Sequence, residues 1–196
     1  MIPYYVMAES DAVQAPLEPE SEIEPTRILI PSPLGSLGFE LTGELVSQVV
    51  IVPKGRARKK FRPFKDLKRN ERNDFIDEVV GRFSEFLAGA RRSLELDYDL
   101  RALGVTGFAR RILKQTAKVS YGRTRTYREI ASAAGNPEGY RQVLSTLMIN
   151  PLPLVIPCHR IVTSKSGVGS YIGGEKKKTW LLRMEREALA AETEDR

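Results

Sequence analysis

Apolar and polar positions alternate in short runs over the first half of the chain. Ile28-Leu29-Ile30 precedes Pro31-Ser32-Pro33-Leu34-Gly35; alternating Leu37, Phe39 and Leu41 follow, then Gly43-Glu44 and the run Leu45 to Val52. A period of two broken by Pro, Gly and Ser predicts three short antiparallel strands. Lys54 to Arg72 is dense in Lys and Arg and predicts a solvated loop. Phe75, Val79, Val80, Phe83, Phe86 and Leu87 then share one helical face, fit to cover the sheet. Leu94 to Leu100 predicts a further strand before a connection near Leu103-Gly104.

From Thr106 the period lengthens. Phe108, Ile112 and Leu113 mark an amphipathic helix that fades before Tyr121-Gly122. Thr126-Tyr127-Arg128-Glu129 has the form of a capping box, in which the hydroxyl and the carboxylate satisfy amides at a helix start. Gly135 is suited to end that helix in left-handed geometry. Asn136 then predicts an N-cap, with Pro137 at the first helical position and a helix running through Met148 to stop before Asn150-Pro151. Two short helices joined at a glycine turn form a helix-turn-helix candidate.

Composition narrows the class. A chain of 196 residues with 41% apolar content can bury one moderate core or two small ones. No apolar run approaches the roughly 20 residues of a membrane span, and the N-terminus lacks the pattern of a signal peptide, so a soluble protein without membrane contact is expected. One cysteine excludes an internal disulfide, which suits a reducing compartment, and one cysteine with one histidine cannot build a Cys/His zinc site. Residues 1–26 carry six acids and no Lys or Arg, which leaves +12 on the remainder against +6 for the whole chain. A polyanion is the natural partner of that remainder. The acidic, proline-containing head offers too little apolar periodicity to order itself, and is expected to be a disordered tail.

The chemistry concentrates in Pro157-Cys158-His159-Arg160, which holds the only cysteine and the only histidine and closes the apolar run Pro151 to Ile156. A thiol is a nucleophile only as thiolate, so a reactive cysteine needs a base or a positive field beside it. His159 and Arg160 are placed in sequence to supply both. Two facts weigh against that reading: a lone cysteine in an apolar segment is ordinarily an inert core residue, and neighbours in extended backbone point to opposite sides. The flanking prolines favour a turn that would lift the second objection.

This segment does not stand alone. With Asn150-Pro151 before it, Gly167-Val168-Gly169-Ser170-Tyr171-Ile172-Gly173-Gly174 after it and Trp180-Leu181-Leu182-Arg183-Met184-Glu185 beyond, the chain from about Thr106 to Glu185 resembles the O6-alkylguanine-DNA alkyltransferase (methylated-DNA protein-cysteine methyltransferase) family. The resemblance implies direct-reversal DNA repair, with single-turnover transfer of an alkyl group from guanine O6, and by extension thymine O4, to Cys158. It implies that His159 acts as base through a bridging water and that Glu185 holds the useful tautomer. Asn150 would brace the turn before the active-site segment, and backbone near Cys158 and Ile161, with Tyr171, Ile172 and Gly173, would enclose the base. Arg141 would enter the stack in place of the flipped nucleotide, Tyr127 would help rotate it, and Asn136, Tyr140 and Gln142 would lie along the DNA. No cofactor and no metal are implied.

The fold expected is α/β (α+β): an acidic tail at 1–26, a small antiparallel sheet domain with a covering helix at 27–104, a helical domain with the helix-turn-helix and the active-site loop at 105–190, and a tail at 191–196. The partner expected is double-stranded DNA containing O6-alkylguanine, bound by a monomer in the cytoplasm, or in the nucleus of a eukaryote. The chain departs from the family where its second helix places Tyr140, Gln142, Leu144 and Thr146 instead of small residues, and where Ile172 replaces a small polar one. Two other readings use the same groups: a non-enzymatic binder that flags alkylated bases, against which Cys158 speaks, and a Cys-His-Glu hydrolase, which would turn over.

Overall fold

The computed structural model describes residues 24–53, 60–163 and 167–194. Strands β1 (Thr26–Ser32), β2 (Gly35–Thr42) and β3 (Leu45–Val52) form the antiparallel meander read from the sequence. A fourth, two-residue strand, β4 (Arg62–Pro63), runs parallel to β1 and gives the order β3-β2-β1-β4. This corrects the expectation of a solvated loop for the part of Lys54 to Arg72 that is described. Phe61 and Leu67 are buried there, and the Arg72 guanidinium stacks 4.2 Å from the Phe64 ring centroid. Apolar residues three apart turn one side of this basic segment inward, against the sheet. Residues 54–59 lie outside the described residues, as does nearly all of the acidic head.

Helix α1 (Asp74–Leu87) starts at Asn73, whose side chain accepts from Ile76 N at 2.8 Å. It buries Ile76, Val79, Phe83, Phe86 and Leu87. Two of these rings anchor the helix: Phe83 meets Phe39 of β2 at 4.5 Å between centroids, and Phe86 reaches the second half of the chain, meeting Tyr121 edge-on at 5.9 Å. The strand expected over Leu94 to Leu100 is absent. Its leucines at 94, 96 and 100 are buried, but Glu95 takes φ of +48°, outside the extended region. Its carbonyls at Leu94 and Glu95 accept from Arg82 instead of from a neighbouring strand.

Helix α2 (Gly107–Ala117) leads to β5 (Arg125–Thr126), α3 (Tyr127–Ala133) and α4 (Tyr140–Met148). The capping box forms as read: Glu129 N donates to Thr126 Oγ1 at 3.2 Å, and Thr126 N donates to Glu129 Oε2 at 2.6 Å. Gly135, at φ +87°, ends α3 with Asn136 N bonded to Ala131 O and Gly135 N to Ser132 O, the paired bonds of a Schellman motif. Helix α4 ends where expected but begins three residues late, at Tyr140 instead of Pro137. Asn136 to Gly139 is a separate turn closed by Gly139 N to Asn136 O at 2.9 Å, so Asn136 is not its N-cap. Gly139 presses on the Phe108 ring, where a Cβ would come within 2.9 Å, and the helix starts only beyond that contact.

Strand β6 (Ile161–Val162) pairs in parallel with β5, which ties the helix pair to the segment carrying Cys158. Helix α5 (Glu175–Glu194) closes the chain. It continues into the expected tail as far as Glu194, and Arg92 pairs there with Glu192. Among the described residues no helix is long and apolar enough to cross a membrane.

Candidate functional site

Residues Cys158 to Arg160 form one turn of 3-10 helix, so the adjacent cysteine and histidine are not splayed as on a strand. Cys158 is 2% exposed, and His159 and Glu185 are fully enclosed. Asn150 organises the approach to this turn: its Nδ2 donates to Ile156 O at 3.0 Å and to Cys158 Sγ at 3.2 Å, while its Oδ1 accepts from Leu152 N at 3.0 Å. Within that loop Leu154 holds φ of +78°, a left-handed conformation that costs a non-glycine residue about 1–3 kcal/mol and persists only because its surroundings fix it.

Burial pushes the Cys158 thiol up to about 11, against the Asn150 hydrogen bond and the charge of Lys178, which pull it down. At neutral pH the thiol by itself would then be ionised to roughly one part in ten thousand, four units below its pKa. A base must therefore take its proton at the moment of reaction.

His159 is built to be that base. Its Nε2 lies 2.8 Å from Glu185 Oε1, and Glu185 also accepts from Gly122 N at 2.9 Å and from the Arg160 guanidinium, Nε at 3.0 Å and Nη2 at 2.9 Å to Oε1. Burial alone would raise the Glu185 carboxyl, but the hydrogen bond and charge of His159, with those of Arg160, outweigh it and leave the group below its ordinary value. An ionised carboxylate at Nε2 requires a proton there, which leaves Nδ1 as a lone pair. That Nδ1 is buried and has no hydrogen-bond partner among the described residues. Burial also lowers the imidazole below its usual range, although Glu185 acts the other way, so the ring is neutral at pH 7 and its Nδ1 lone pair is open to a proton.

The structure reassigns Arg160. Adjacency in sequence offers it as the positive field for the thiol, yet its side chain turns away to Glu185 and donates Nη1 to Val119 O at 2.6 Å. The cation that acts on Cys158 is Lys178, from the first turn of α5, which the sequence reading missed. A signal was available: Lys178, Leu181 and Glu185, spaced by three and four, share one face of α5, and all three are fully buried.

The other expected residues gather as follows. Tyr127 and Tyr171 are buried, with the Tyr127 hydroxyl donating to Ser170 O at 3.2 Å and the Tyr171 hydroxyl without a hydrogen-bond partner among the described residues; the Tyr171 ring stands edge-on to His159 at 6.3 Å. Ile161 is buried, Gly173 half-buried and Ile172 exposed. Arg141, Gln142 and Leu144 are exposed on α4. Two guanidiniums, those of Arg128 and Arg141, each lie 5.6 Å from the Tyr140 ring centroid. Asn136 Nδ2 donates to Gln142 Oε1 at 3.4 Å, so the turn and the helix that follows are linked on the surface. Among the described residues no group of three or more His, Cys, Asp or Glu is placed to hold a metal ion.

Residues 107–187 match the family model described as 6-O-methylguanine DNA methyltransferase, DNA binding domain. The methylated-DNA–protein-cysteine methyltransferase of Methanothermobacter thermautotrophicus is 42% identical over 117 residues, covering 58% of this chain and 63% of the relative. The chain thus spans less than two thirds of that relative. The Methanosarcina barkeri protein of the same name is 33% identical over 119 residues, covering 61% of this chain and 73% of its own length. Among solved structures, the O6-methylguanine methyltransferase of Mycobacterium tuberculosis superposes with a TM-score of 0.70 at 26% identity, over 84% of this chain and 94% of that one. Mycobacterium tuberculosis OGT in complex with DNA gives 0.69 at the same identity, over 83% and 94%.

Proposed function

Since the chain belongs to the methylated-DNA–protein-cysteine methyltransferase family, we propose that it repairs alkylated DNA by moving the alkyl group from guanine O6 to Cys158, once per molecule. The observation that carries this reading is the buried relay in which Arg160 and Gly122 fix Glu185, Glu185 fixes His159 at Nε2, and the free Nδ1 is left as the base for a thiol of otherwise high pKa. In the transfer His159 takes the Cys158 proton, directly or through a water, and Glu185 stabilises the imidazolium that results. The thiolate sulfur bonds to the alkyl carbon as the carbon–O6 bond breaks. The electron pair of that bond stays on the guanine, which takes up a proton. The product is a thioether, a poor leaving group, and no second cysteine exists to receive the alkyl group.

Duplex DNA is the partner in this reading, with residues 27–104 supporting residues 105–190, which carry both DNA contact and the acceptor. Helix α4 offers exposed Arg141 with Tyr140 and Gln142 beside it. A base reached at O6 must leave the stack, at a cost of a few kcal/mol, and Arg141 fills the gap it leaves. Tyr127 would release Ser170 O to turn its hydroxyl toward the flipped nucleotide.

The test is the intact mass of the protein after incubation with a duplex containing O6-methylguanine. One methyl group on Cys158, with product equal to protein in moles and none for Cys158→Ser, is the expected result. Product well beyond one equivalent would mark a turning-over Cys-His-Glu hydrolase instead. Tight lesion binding without any mass gain would mark a binder.

A further inference from the structure

The outward stripe of α4 is apolar where a solvated helix would be polar. Arg141, Leu144, Ser145 and Met148 follow one another at helical spacing and are all exposed, while Val143, Thr146 and Leu147 are buried on the other side. Leu144 is 37% exposed and Met148 40%, and Ile149, at the end of the helix, is 78% exposed. Of the large apolar side chains most open to solvent among the described residues, only Leu45 and Ile172 lie elsewhere in the chain. Ile172 joins the same surface in space, because it lines one recess with Ile149 and Asn150. Asn150 in turn donates to Cys158 Sγ, so the apolar surface runs from α4 to the border of the active site. Single exposed apolar side chains are ordinary, whereas a contiguous set marks a surface that meets a partner.

Charge and chemistry identify that partner. The stripe begins at Arg141, and the guanidiniums of Arg128 and Arg141 both lie beside Tyr140 at its head. All of these residues fall within 107–187, the DNA-binding region. Cations at the head of an apolar stripe fit a ligand with phosphates along its rims and apolar deoxyribose and base-step edges between them. The major groove is read through hydrogen bonds to base edges, for which this stripe offers only Arg141 and Ser145. Leucine, isoleucine and methionine are side chains that wedge between base steps from the minor groove.

We infer that Leu144 and Met148 form an apolar wedge that enters the minor groove beside Arg141, with Ile149 against the groove wall. The inference rests on the DNA partner of the proposed function, but not on alkyl transfer. Apolar contact releases no counter-ions, so this part of the affinity is independent of salt, while each phosphate contact steepens the salt dependence by about 0.9 logarithmic units per tenfold change.

The test is binding of an undamaged, A·T-rich duplex by the full chain, followed by fluorescence anisotropy across a salt series. The variant Leu144→Gln with Met148→Gln removes the wedge at two exposed positions and keeps good helix formers there; circular dichroism checks its fold. It should bind roughly ten- to a hundredfold more weakly, as the loss of two buried apolar side chains predicts, by the same factor at every salt concentration. With netropsin filling the A·T minor groove, parent and variant should bind alike. A parent that binds duplex no more tightly than the folded variant overturns the wedge and leaves the DNA partner standing. So does an affinity difference that persists with netropsin or that changes with salt. Failure of the parent to bind duplex at low salt refutes the DNA partner itself, and the wedge with it. Equal duplex affinities, together with self-association of the parent that the variant loses in sedimentation, would assign the stripe to a second copy of the chain and overturn the inference as well.

Discussion

Replacing Glu185 by glutamine separates what this carboxylate does for the fold from what it does for the thiol. Glu185 is enclosed, and its two oxygens accept from Gly122 N, His159 Nε2 and the Arg160 fork. Glutamine keeps one acceptor and presents an NH2 group to donors on the other side, while the Arg160 guanidinium stays buried without its counter-charge. Breaking a buried pair by removing one partner costs about 3–5 kcal/mol. For a chain of this length that lowers the melting temperature by roughly 6–20 °C. His159 loses both its orienting acceptor and the charge that offsets its imidazolium, so transfer should fall by about 10²–10⁴, the range that general acid–base catalysis supplies. Thermal denaturation and single-turnover transfer from the O6-methylguanine duplex measure the two effects. The double variant Glu185→Gln with Arg160→Met divides them, because it removes the stranded cation but not the defect at His159. Melting temperature should recover in part, short of the parent because Val119 O loses its donor, and transfer should not recover. A single variant that melts with the parent and transfers within roughly threefold of it would refute the relay, since neither the charge balance nor the tautomer argument survives that result.

Gly122→Ala should destabilise the protein by about 1–3 kcal/mol, read from denaturant unfolding, because Gly122 holds φ of +68° and its Cβ would come within 2.1 Å of Leu189 Cδ1. Transfer should slow as well, since Gly122 N positions Glu185; an alanine variant of parental stability would mean that this turn is not fixed as described. The single histidine makes acid sensitivity a clean readout. His159 stays neutral in the folded state below its ordinary 6.5, whereas the unfolded chain protonates there, so the unfolded state binds the extra proton and stability falls as pH drops below about 6.5. The slope has a ceiling of about 1.4 kcal/mol per pH unit for one proton, and His159→Gln should flatten it. An unchanged slope in that variant would place the effect on other groups.

Features that depend on neighbours along the chain were legible in the sequence. The strand meander, the face of α1, the capping box at Thr126, the stop at Gly135 and the end of α4 before Asn150 are set by periods of two or 3.6 and by end groups within a turn of each helix. The resemblance carried Cys158, His159, Glu185, Asn150, Tyr127 and Tyr171, and all six meet in one buried cluster. Local pattern failed where a distant contact decided the outcome. Arg82 took the carbonyls of the segment expected to be a strand, and Phe61 and Leu67 turned a basic run inward.

Charge shows the division most sharply. Proximity in sequence placed Arg160 two residues from Cys158, but the buried carboxylate of Glu185 drew the guanidinium away. Lys176, Lys177 and Lys178 are alike in sequence. Only the phase of α5 against the core selects the third: it shares a face with Leu181 and Glu185, and packing that face against the active-site turn carries its ammonium inside with them. The sequence thus determined which groups the chain carries and which short elements hold them. Tertiary packing decided which cation acts on the sulfur, because the charge effect of Lys178 on Cys158 joins residues 20 positions apart that no local period relates.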